Sequence, residues 1–148
     1  MKKLALIVLT ISSLIVLSCS KEETTVKTRA ELLTAKDWMM TAAIITMNIG
    51  GKDSSIDMYS TMPACEKDDL FKFETSKVIT QKCGALKCNP TDPNSISSGI
   101  WTLIDESNPL RIIDGDTTDF NILTLNTTTL KMQTGVPGST QTITFTGQ

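Results

Sequence analysis

Apolar positions along this chain follow two unlike patterns. From Leu4 to Leu17 they are nearly continuous, interrupted only by Thr10, Ser12 and Ser13, with Met1-Lys2-Lys3 placing positive charge in front. That run is shorter than the roughly 20 apolar residues that cross a bilayer core. Polar sequence follows it at once, so residues 1–18 predict a cleavable export signal and no retained transmembrane helix. Ser20-Lys21-Glu22-Glu23-Thr24-Thr25 has nothing to bury, and residues 19–28 read as a polar tether. Beyond Trp38 the apolar residues come instead in short runs rich in Ile, Val, Leu, Thr and aromatics, divided by Gly, Pro, Asn and Asp. Such texture predicts strands and turns.

Strands are predicted near 38–48, 69–74, 77–82, 98–104, 109–113, 118–125, 128–134 and 140–146, eight in all. Phe71-Lys72-Phe73-Glu74, Leu130-Lys131-Met132-Gln133 and Thr142-Ile143-Thr144-Phe145 alternate with the period of two that strands wet on one face require. Connections as short as Asn126-Thr127 force antiparallel neighbours, because a parallel pair needs a crossover of about a dozen residues. Eight antiparallel strands in sequence order predict an all-β fold, an up-and-down barrel, with a two-sheet sandwich sharing the signature. Met39-Met40-Thr41-Ala42-Ala43-Ile44-Ile45 is apolar on both faces, and the pattern assigns it no register. Ahead of the strands, Thr28-Arg29-Ala30-Glu31-Leu32-Leu33 sets an N-cap three residues before a glutamate, with apolar positions close behind. That predicts a helix of about two turns. Residues 29–148 are then one domain, large enough for a core of its own.

Loss of Lys2 and Lys3 with the signal takes the formal net charge from -2 to about -4, and no basic stripe with interleaved aromatics appears. Nucleic acid is therefore not an expected partner. Histidine is absent, which excludes hydrolases built on Ser-His-Asp or Cys-His and removes the commonest zinc ligand. The chain is expected to be no enzyme and to carry no cofactor.

Val16-Leu17-Ser18-Cys19 resembles the bacterial lipobox, in which aliphatic residues and a small residue precede the cysteine whose thiol takes diacylglycerol. The resemblance makes Cys19 the lipid-bearing first residue of the mature protein and the membrane its first partner. The acidic stretch just behind Cys19 also resembles the surface-export signal of Bacteroidota lipoproteins, although a solvated linker has the same composition. The expected location is the outer membrane, at its periplasmic face or the cell surface.

A wider resemblance rests on Leu32-Leu33-Thr34-Ala35-Lys36-Asp37-Trp38, Cys65-Glu66-Lys67-Asp68-Asp69-Leu70-Phe71-Lys72-Phe73, Lys87-Cys88-Asn89-Pro90, Ser98-Gly99-Ile100-Trp101 and Ile122-Leu123-Thr124-Leu125. In order and spacing these segments are similar to the lipocalin-like lipoproteins of the Bacteroidota across nearly all the mature chain. The resemblance implies an eight-stranded barrel preceded by a short helix, with Trp38 closing one end. Where true lipocalins carry a glycine two residues before this tryptophan, the chain has Lys36, and it has no arginine near the last strand.

With Cys19 lipidated, Cys65, Cys83 and Cys88 remain, an odd number for an oxidising compartment. The spacing leaves a local Cys83–Cys88 loop through Gly84-Ala85-Leu86-Lys87 open. The resemblance implies Cys65 with Cys88 and a free Cys83. Three cysteines without histidine do not predict a zinc site.

Phe71, Phe73, Trp101 and Leu103 are apolar at strand spacing and are the candidate contacts of a small hydrophobic ligand; core packing accounts for the same pattern. An eight-stranded barrel can be filled by its own side chains or can hold one small molecule. Asp114-Gly115-Asp116-Thr117-Thr118-Asp119 gathers three carboxylates but lacks the spacing of a calcium loop and reads as a turn. Within it, Asp116-Thr117-Thr118 resembles the short acceptor for O-glycosylation of exported proteins in these bacteria. Glu66, Asp68 and Asp69 suggest paired acid and base less than they suggest the charged start of a strand. Two functions stay open: a surface-anchored binding protein for an apolar or amphipathic molecule, and a non-catalytic interaction module of an outer-membrane assembly with a filled barrel.

Overall fold

Thr28 starts the folded chain as its sequence predicts. The computed structural model describes residues 26–106 and 108–148, so the expected export signal, Cys19 and most of the expected tether lie outside the described residues. Helix α1 (Arg29–Thr34) opens on a capping box, in which Glu31 N donates to Thr28 Oγ1 at 3.2 Å and Thr28 N donates to Glu31 Oε2 at 2.6 Å. The backbone bond from Thr28, with the one from its hydroxyl, holds the Glu31 carboxyl below its ordinary value.

All eight expected strands are present. They are β1 (Asp37–Ile49), β3 (Leu70–Phe73), β4 (Val78–Lys82), β5 (Ser95–Leu103), β6 (Leu110–Asp114), β7 (Asp116–Leu125), β8 (Thr129–Val136) and β9 (Ser139–Gly147). Each pairs antiparallel with the next, and β9 returns to β1 along nine residue pairs from Trp38↔Gly147 to Met47↔Ser139. That last ladder closes the barrel and excludes an open sandwich.

Four elements lie outside the expected set, one of them a short 3-10 helix (Ile104–Glu106) between β5 and β6. Strand β2 (Lys52–Asp57) pairs with the second half of β1, from Ile44↔Asp57 to Ile49↔Lys52, and α2 (Met58–Thr61) and α3 (Ala64–Lys67) lead from it to β3. Lys52-Asp53-Ser54-Ser55-Ile56-Asp57 is exposed along its whole length, so it carries no apolar alternation to announce a strand. Its hairpin turns at Gly50-Gly51, both at positive φ.

The two-faced texture of the first strand has a definite cause. The β1–β9 register shifts between Met40↔Phe145 and Ala42↔Thr144, leaving Thr41 as an extra residue. A bulge of one residue reverses which parity faces inward. Trp38 and Met40 point into the barrel below the bulge, and Ala43 does so above it, which makes the run apolar at both parities.

The barrel is filled unevenly. The largest fully buried side chains are Trp38, Trp101, Leu33, Leu110 and Leu130, on α1, the start of β1, the β5–β6 end and the start of β8. All belong to the end of the barrel where α1 packs. The other end carries the β1–β2 hairpin, the β4–β5 loop and the β6–β7 and β8–β9 turns.

Candidate functional site

The closed end is built around Trp38. Its indole has no solvent exposure, and Nε1 donates to Leu33 O at 2.8 Å, so the ring satisfies a carbonyl of the last turn of α1 while plugging the barrel. A Cβ at Gly147, its partner on β9, would approach Lys36 Cδ to 2.8 Å and Thr127 O to 3.2 Å. The stem of Lys36 thus lies across the plug. Outside it, Asp37 meets Lys82 Nζ at 2.7 Å and Lys72 Nζ at 3.5 Å. Burial alone would raise the Asp37 carboxyl, but the hydrogen bond and charge of Lys82, together with Lys72, hold it below its ordinary value.

Trp101 forms the floor above this plug. It is buried, donates from Nε1 to Glu74 O at 3.0 Å, meets the Phe73 ring edge to face at 5.8 Å, and carries Lys77 Nζ over its own face at 3.9 Å. Its register partner is Ile112, and that of Leu103 is Leu110, so both residues face inward as the alternation predicts. Leu103 packs against the core and also borders a surface depression with Thr28, Ala30 and Lys77 at the closed end.

Above the floor is a cavity of about 330 Å³ that opens at the other end of the barrel. Phe71, Phe73, Ile79, Phe120, Met132 and Phe145 form much of its wall, and Phe71 and Phe145 meet edge to face at 5.7 Å. Of the four candidate contacts, Phe71 and Phe73 line this space; Trp101 and Leu103 do not. Phe120, Met132 and Phe145 have inward parity that is readable from alternation, but their height along the barrel comes from strand stagger, which alternation does not encode.

Polar groups occupy one wall and the rim. Ser98 Oγ donates to Gln81 Oε1 at 3.2 Å, and Gln81 Nε2 donates to Asp69 Oδ2 at 2.8 Å. Asp69 is buried and also accepts from Gly84 N at 3.2 Å, while Asp68 Oδ2 accepts from Leu86 N at 2.9 Å. The Asp68-Asp69 pair therefore anchors the β4–β5 loop instead of forming an acid and base pair. Cys88 in that loop is joined to Cys65, 23 residues earlier, as the family resemblance implies. Cys83 is a free, half-buried thiol; its Sγ donates to Pro93 O at 3.2 Å, and it shares a second cavity of about 300 Å³ with the disulfide.

The acidic stretch at the β6–β7 turn divides. Asp114 and Asp116 stand directly opposite each other across Gly115, whose φ of +74° suits the tight reversal, and both line the mouth of the cavity with Thr118. Asp119 faces the outer wall, where it accepts from Arg111 Nε at 2.7 Å and Nη2 at 2.8 Å. The Arg111 hydrogen bond foremost, with its charge, holds the Asp119 carboxyl below its ordinary range. The three carboxylates do not converge, and among the described residues no group of three or more His, Cys, Asp or Glu is placed to hold a metal ion.

No family model, curated protein or solved structure matches this chain.

Proposed function

We propose that this protein is a lipid-anchored lipoprotein of the outer membrane, akin to the lipocalin-like lipoproteins of the Bacteroidota, that holds one small hydrophobic or amphipathic molecule in its barrel. The observation that carries the reading is the uneven filling of the barrel: two tryptophans pack one end solid, and an aromatic-walled space of about 330 Å³ stands open at the other. That volume is at the lower end of small-molecule sites. Apolar wall exposed to water there gives a ligand about 25 cal/mol per Å² removed from solvent.

The start of the folded chain and the mouth of the cavity lie at opposite ends of the barrel. The chain enters the fold at α1, beside the Trp38 plug, and residues 19–28 reach at most about 35 Å when fully extended. A lipid on Cys19 then joins the domain from its closed end through a polar tether.

Exposed apolar side chains favour the second reading, an interaction module. Ile100 and Ile113 pair across β5 and β6 on the outer wall, 50 % and 37 % exposed, and Ile56 on β2 is 44 % exposed. Mass spectrometry of the full chain, extracted intact from membranes, tests the two together. A stoichiometric small molecule retained by the folded protein supports binding, whereas a co-extracted protein without one favours the module. Metabolic labelling with a fatty-acid analogue tests the anchor: Cys19→Ala should lose all label, and persistent label would refute lipidation at this residue.

A further inference from the structure

We propose that the ligand of this barrel is a cationic amphiphile, with its apolar body against the phenylalanine wall and its ammonium or guanidinium group between Asp114 and Asp116. This inference deepens the ligand-binding reading and rests on it. Asp114 and Asp116 are register partners, so their Cβ atoms stand about 5 Å apart on one face of the hairpin. Like charges placed directly opposite each other destabilise a strand pair. Neither carboxylate has an ion-pair or side-chain hydrogen-bond partner among the described residues. The cation on the same hairpin, Arg111, is held by Asp119 on the outer wall and does not neutralise them.

Placement gives the repulsion a use. The pair sits at the rim of a cavity whose walls are Phe71, Phe73, Phe120 and Phe145, and the polar groups on the neighbouring wall, Gln81 and Ser98, are already bonded to each other and to Asp69. A molecule lying along this axis meets apolar surface first and two unneutralised carboxylates at the exit. A cation there relieves the mutual repulsion and gains two charge-assisted hydrogen bonds. An anionic head, such as a fatty-acid carboxylate, meets the same two charges as a penalty.

Three eight-carbon compounds that differ only in the head group isolate this effect: octylamine, octanol and octanoate, each displacing a neutral naphthylamine dye from the full chain. Octylamine should compete about five- to tenfold better than octanol at low salt, octanoate worst, and the preference should shrink by about half or more as ionic strength rises to roughly 0.3 M, because both carboxylates are exposed. In Asp114→Asn/Asp116→Asn the preference for octylamine over octanol should vanish, and the melting temperature should be unchanged or raised. Equal competition by octylamine and octanol, or a preference that survives in the double variant, would overturn the cationic assignment alone. Failure of the dye to bind saturably would overturn the ligand-binding reading with it. Calcium binding at the pair without amine preference would assign the carboxylates to a metal and also overturn the proposal.

Discussion

Replacing Trp38 by phenylalanine removes the donor that reaches Leu33 O at 2.8 Å and shortens a side chain with 0 % exposure. Two losses follow. A buried carbonyl left without its donor costs about 1–3 kcal/mol. The vacated space in a packed end adds roughly 1–2 kcal/mol, at about 24 cal/mol per Å³ of cavity that does not collapse. Collapse is hindered because Leu33, Leu130 and Phe145 are themselves buried and Lys36 lies across Gly147 from outside. The expected loss is therefore about 3 kcal/mol. For a domain of this size that lowers the melting temperature by about 10 °C. Urea and thermal unfolding, followed by near-ultraviolet circular dichroism, measure it, and amide exchange in α1 should quicken because its last turn has lost its tie to the barrel. Dye binding at the opposite end should be unaltered below the transition. A loss under about 1 kcal/mol with α1 protection unchanged would show that Trp38 does not hold the helix to the barrel.

Peptide mapping without reduction should recover Cys65 linked to Cys88 and Cys83 alkylated; a peptide joining Cys83 to either neighbour would contradict the pairing. Opening that bond by Cys65→Ser/Cys88→Ser should cost about 3 kcal/mol, from the unfolded-chain entropy of a loop of this length, read as a shift in urea midpoint. Asp37 gives a pH signature. Its folded pKa lies below the unfolded one, so the stabilisation from Lys82 and Lys72 is complete above the unfolded value near 4 and is lost as pH falls through the folded value. Asp37→Asn should cost about 0.5–1 kcal/mol at neutral pH and flatten the acid limb of the stability profile; an unchanged acid limb would remove the pair from the account.

Much of the fold is legible because one-sided burial writes itself into alternation. Phe71, Phe73, Leu130, Met132 and Phe145 all face inward at the parity that their neighbours Lys72 and Lys131 imply. The capping box at Thr28 and Glu31 is local chemistry and needs no tertiary context. Strand β2 is invisible for the converse reason: exposed on both faces, it is held by its ladder to β1, and backbone bonding leaves no mark on side-chain type. The first strand defeats alternation because a single bulge at Thr41 reverses parity in mid-run.

The candidate site is legible only in part. Trp101 and Phe73 share an inward face and the same apolar character, yet one is floor and the other wall, because their heights depend on stagger around the barrel. The reversal between Asp114 and Asp116 is legible, although the strands run up to both residues and leave only Gly115 between them, while their place at the mouth follows from barrel closure, which no local pattern contains.

The central claim, that the open half of the barrel holds one small apolar molecule, is tested most directly by titrating the full chain with a neutral naphthylamine dye and comparing Thr118→Phe. Thr118 lines the cavity on a regular stretch of β7 opposite Ile112, so a phenyl ring there occupies ligand space at a position where strand geometry tolerates it. The account predicts saturable binding of about one equivalent to the wild type, and a loss of at least tenfold in affinity in a variant whose circular dichroism is unchanged. Absence of saturable binding to the wild type, or equal binding in Thr118→Phe, would contradict it.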